Sequence, residues 1–153
     1  MRLVRRLGVV TLAAAAVALS YAGGAAAADT AAIPWDPSKV SLLAQQLPPA
    51  ADAWEQATRR LQDNIGSGTS QEVDDIVRKA RTIHEMCNGL AAHIAKGDGK
   101  KQTDDMFQGI KEIQDDTNVL APRANLDDPS QAAWSKLNGL LNQIRAYYGP
   151  PPQ

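Results

Sequence analysis

A chain of 153 residues with 44% apolar and 22% charged residues, a net charge of −1 and a single cysteine holds enough apolar material for one packed domain. One cysteine excludes a disulfide framework. The basic pairs Arg59-Arg60, Arg78-Lys79 and Lys100-Lys101 are scattered among acids, which argues against a nucleic-acid surface or a basic face for anionic lipid.

Residues 1–28 read as a signal peptide. Arg2, Arg5 and Arg6 open it, an apolar run follows from Leu7 to Leu19, and alanines 25–28 suit cleavage after Ala28. The run is shorter than the roughly 20 apolar residues a spanning helix needs, so it is read as a removable leader rather than an anchor. Gly8 stands where a twin-arginine signal prefers a bulky apolar residue, so Arg5-Arg6 matches that export route poorly. Cys87 lies far from the cleavage point, which argues against lipidation. Cleavage removes three arginines and no acid, leaving 13 basic against 17 acidic residues, a net charge of −4. The expected product is exported, to a periplasm or the medium, with no membrane insertion.

Beyond the leader, residues 29–36 read as a flexible lead-in. Asp36 and Pro37 then place a cap before a first-turn proline, starting a short helix to about Leu47 with Val40, Leu43, Ala44 and Leu47 as its stripe. Pro48-Pro49 is expected to stop it. A second helix from Pro49 carries Trp54, Ala57, Leu61 and Ile65, with Gly66 as terminator. Thr69-Ser70-Gln71-Glu72 reads as a capping box for a third and longest helix, running to about Lys96. Its apolar arc holds Val73, Ile76, Val77, Ala80, Ile83, Cys87, Leu90, Ala91 and Ile94. Thr103 is expected to cap the fourth helix, with Met106, Ile110, Ile113, Thr117 and Leu120 on one stripe until Pro122. Asp128-Pro129 starts the fifth, lined by Trp134, Leu137, Leu141, Ile144 and Tyr148. Residues 149–153 read as a disordered proline-rich tail.

The pattern predicts an all-α domain over residues 37–148: an up-down-up-down four-helix bundle with a short extra N-terminal helix, because short connections force neighbours to run in opposite directions. His84 and Cys87, three apart on the third helix, are the one constellation with chemical meaning. Both suit copper or zinc, with Met106 a conceivable third ligand, and His84 or Met106 could serve as an axial ligand to haem. The competing expectation is a core cysteine beside a hydrogen-bonded histidine. Asp-Asp pairs at 74–75, 104–105, 115–116 and 127–128 read mostly as helix-start acids rather than a calcium or carboxylate site. Thr58, Gln114, Thr117 and Asn138, on or beside the stripes, are expected to form a polar network fixing helix register, the alternative being that they line a shallow ligand pocket. No catalytic motif stands out. The expected role is therefore non-enzymatic, through binding another envelope or secreted protein or a second copy. The alternatives are a metal or haem carrier using His84 and Cys87, and a small-ligand binder or exported enzyme with an end cleft between Trp54 and Trp134.

Overall fold

The ends of the helices are where local chemistry shows first. In the computed structural model, which describes residues 33–149, α1 (Pro37–Ala44) starts at Asp36, whose carboxylate accepts from the Ser38 and Lys39 N–H groups at 3.1 Å. The leader, residues 29–32 and residues 150–153 lie outside the described residues. α1 ends earlier than its stripe implies. Gln45 and Gln46 make the turn, and Leu47, Pro48 and Pro49 open α2 (Leu47–Ile65). The prolines therefore start α2 rather than stop α1, because a first-turn residue has no intrahelical N–H bond to lose.

Three caps differ from expectation by one to four residues. Ser70, not Thr69, caps α3 (Gln71–Ala95), accepting from Val73 N–H at 3.4 Å, while the Thr69 hydroxyl donates back to Gly66. The Glu72 carboxyl is held below its ordinary range first by its own backbone N–H and then by the Ser70 hydroxyl. α4 (Lys100–Leu120) has Gly99 at its cap, so Thr103 lies inside it and is fully buried. α5 (Asp128–Tyr148) is capped by Asp127, which accepts from Ser130 N–H at 3.0 Å.

The described residues are all-helical, with four long helices and the short α1. α2 packs broadly on α3 and α5, and α3 on α4, whereas α4 and α5 share the narrowest seam of this ring. α1 lies chiefly against α3 and α5, inserting Val40 and Ala44. Before it, Ile33 N–H donates to Ala146 C=O at 2.9 Å and Trp35 meets Tyr148 edge-on at 5.4 Å, so residues 33–36 pack on the end of α5. Trp54, Ile76, Ile83, Cys87, Leu90, Phe107, Leu137, Leu141 and Ile144 form the interior. Phe107 has no place on the expected α4 stripe. It stacks on Tyr148 at 4.1 Å, and the true α4 stripe runs Thr103, Phe107, Ile110, Gln114 and Thr117, with Met106, Ile113 and Leu120 at its edge.

Two glycines bring α3 and α4 together through a reciprocal exchange. A Cβ on Gly109 would stand 2.6 Å from Met86 Cε, and one on Gly89 would stand 3.0 Å from Met106 Cε. Each methionine thus lies over the bare backbone of the facing helix, where its flexible thioether fills an irregular gap. Met86, which the helical wheel places well away from the stripe, is partly buried for this reason. Gly139 is different: it lies within α5, and a Cβ there would meet nothing within 4 Å. Gly139→Ala is expected to stabilise the domain by about 0.5–1 kcal/mol by restricting the unfolded chain. An unchanged or lower urea midpoint would contradict this.

Candidate functional site

His84 and Cys87 share a helix but face different surroundings. Cys87 is fully buried in the core, and burial pushes its thiol up to about 12, so it stays protonated at neutral pH. His84 is half-buried, and its Nδ1 meets Glu55 Oε2 of α2 at 2.5 Å. An ionised carboxylate has no proton to give, so Nδ1–H is the donor. Glu55 Oε1 also accepts from the Arg59 guanidinium at 2.5 Å, one turn along α2. Glu55 is 9% exposed, and its two charge-assisted partners satisfy both oxygens. Leaving either oxygen unpaired at this depth is the costly alternative. Glu55 has no forerunner in the apolar pattern, since it follows Trp54 off the stripe centre.

Neither Met106 nor an acid completes a ligand set around His84 and Cys87. Met106 is engaged with Gly89, and among the described residues no three His, Cys, Asp or Glu side chains group as metal ligands. His93, on the far side of α3, pairs with Asp98 of the following turn at 2.7 Å. The acids behave as surface partners. Asp75 pairs with Arg78, Glu85 with Arg81 and Asp116 with Lys79, while Asp74 accepts from Gln62 of α2.

The narrow α4–α5 seam is laced by uncharged side chains. Gln114 Nε2 donates to Asn138 Oδ1 at 2.6 Å and to Asn142 Oδ1 at 3.0 Å, and the Thr103 and Tyr148 hydroxyls meet at 2.7 Å. Burial pushes the Tyr148 phenol up to about 12, with the Asp104 charge acting in the same direction and the Thr103 bond opposing. Thr58 and Thr117 instead bond carbonyls of their own helices. The register network thus runs through Gln114 and Asn138 as expected. Asn142 joins it, and Thr103 with Tyr148 forms a second, separate link across the same seam; the sequence pattern points to neither.

At one end of this seam the helices part into an open groove of about 400 Å³, lined by Asn118, Ala121, Pro122, Asn125, Leu126, Gln131 and Trp134. The α4–α5 connection shapes it. Asn125 takes the left-handed conformation, φ 52°, which asparagine tolerates better than most residues, and the turn buries Ala124 and Leu126. Trp134 Nε1–H donates to Asn118 Oδ1 at 3.2 Å, and Gln131 Nε2 donates to the Leu126 carbonyl at 2.6 Å. Those bonds leave the Asn118 amide N–H groups and the Gln131 Oε1 facing other partners. An end cleft beside Trp134 therefore exists, but Trp54 does not line it. Trp54 is fully buried behind Trp134, with ring centroids 4.5 Å apart.

Comparison with protein-family models, with curated proteins and with solved structures finds no match to this chain. No helix among the described residues is long and apolar enough to cross a membrane.

Proposed function

We propose that this is an exported, non-catalytic binding protein whose four long helices run up-down-up-down and whose binding place is the groove at the α4–α5 corner. The carrying observation is the groove itself: three exposed amide side chains stand around the edge of the buried Trp134 indole, a combination that fixes small molecules by shape and a few polar contacts. The reactive side chains are committed elsewhere. Cys87 is a buried, protonated thiol and His84 is held by Glu55. The alternating topology draws support from contacts whose numbers rise on one helix as they fall on the next. Lys79 meets Asp116 while Gly89 faces Met106, and Asn118 meets Trp134 while Thr103 meets Tyr148. Export rests on the leader pattern of residues 1–28.

Two measurements test the reading. Mass spectrometry of the protein recovered from its own compartment is expected to show a chain starting at or next to Asp29. Two-dimensional ¹H–¹⁵N spectra, recorded against a panel of small metabolites, are expected to show shifts of the Trp134 indole and the Asn118 and Gln131 amides. A retained leader would sink export, and a panel that moves no groove resonance would sink the binding place.

A further inference from the structure

We infer that the α4–α5 groove takes a neutral carbohydrate of one or two sugar rings, an inference that rests on the binding reading above. Charge is the first argument. In a chain with 22% charged residues, none of the seven lining residues carries a charge. An ionic ligand would find no counter-charge among the residues that line the groove, whereas a neutral one needs none. The second argument is the pattern of free polar groups. With Asn118 Oδ1 engaged by the Trp134 indole and Gln131 Nε2 by the Leu126 carbonyl, Asn118 offers donors and Gln131 an acceptor. Asn125 adds a whole amide at the exposed rim. Neighbouring sugar hydroxyls each donate and accept, so they satisfy such a mixed set at once.

The third argument is the wall. Ala121, Pro122 and Leu126 give an aliphatic surface suited to the C–H face of a pyranose, and about 400 Å³ lies within the range of small-ligand pockets. An extended peptide would instead ask for a line of backbone partners, and two carbonyls there are already engaged: that of Leu120 accepts from Arg123 and Ala124, and that of Leu126 from Gln131.

The test titrates the ¹⁵N-labelled full mature chain with methyl glucoside, N-acetylglucosamine and maltose, alongside glucose 6-phosphate and an uncharged blocked dipeptide. At least one neutral sugar is expected to shift the Trp134 indole and the Asn118 and Gln131 side-chain amides saturably, with the sugar phosphate binding no more tightly. Asn125→Gly keeps the left-handed turn while deleting the amide. It is expected to weaken that sugar at least fivefold with the thermal midpoint held or raised. Groove shifts produced by the dipeptide but by no sugar overturn the carbohydrate assignment and leave the groove reading standing, as does tighter binding of the phosphate. A spectrum unmoved by all five compounds overturns this assignment. Silence across the wider metabolite panel as well would remove the groove reading.

Discussion

At pH 8 the native protein is expected to react with a thiol reagent at least about a thousandfold more slowly than the unfolded chain. Raising the Cys87 thiol from its ordinary 9.0 to about 12 cuts the reactive thiolate fraction by roughly that factor, and full burial denies the reagent access besides. Labelling should therefore follow opening of the fold rather than direct attack. The same shift makes the domain sensitive to alkali. Above pH 9 the unfolded chain releases the Cys87 proton while the folded chain keeps it, so the unfolded state binds fewer protons and stability falls as pH rises toward 12. The slope for Cys87 approaches about 1.4 kcal/mol per pH unit within that window, and the raised Tyr148 phenol adds to it above pH 10. Cys87→Ala is expected to flatten the dependence between pH 9 and 10 and to lessen it above pH 10, where Tyr148 still contributes, while lowering stability at neutral pH through its small cavity. Rapid labelling in the absence of denaturant, or a flat alkaline stability curve for the native sequence, would contradict the sealed core.

Trp54→Ala is expected to cost about 3–5 kcal/mol, a large share of the stability of a domain this size. The indole is fully buried, lies against Trp134 and fills the interior behind the groove. Its Nε1–H is buried without an acceptor, a liability of about 1–3 kcal/mol for a polar group at that depth. Trp54→Phe removes that group while retaining most of the ring, so it is expected to be much milder than alanine despite the lost volume. Urea denaturation of the two variants separates the contributions. If phenylalanine proves as damaging as alanine, the indole nitrogen contributes something the geometry does not contain. Because Trp54 backs Trp134, the alanine variant is also expected to broaden the Trp134 indole resonance. The phenylalanine variant should leave it sharp.

The helices were legible in the sequence because their causes are local. Asp36-Pro37 sets a start through side-chain capping and a fixed proline φ, and the 3.6-residue period of Val73 to Ile94 identifies the buried face of α3, Cys87 included. The shifted helix ends share one origin: several residues compete for the same end. Thr69 and Ser70 both fit a cap, as do Asp127 and Asp128, and taking Thr103 for the cap of α4 hid its place on the stripe with Phe107. Proline at 48 and 49 marks a helix boundary on either side, and only packing of Leu47 into the core assigns it to α2.

Sequence alone thus determined that this chain forms amphipathic helices, where within a few residues they begin and end, and that its one thiol lies on an apolar face. Tertiary structure decided the partners. Glu55 and His84 are 29 residues apart, Gln114 and Asn138 24, and Thr103 and Tyr148 45, and each pair forms only once neighbouring helices fix their rotation and register. The groove beside Trp134 belongs to the same class, since the α4–α5 connection shapes it together with residues of both helices. Periodicity and capping act within a turn or two of one helix, whereas these pairings and that gap are properties of how separate helices meet.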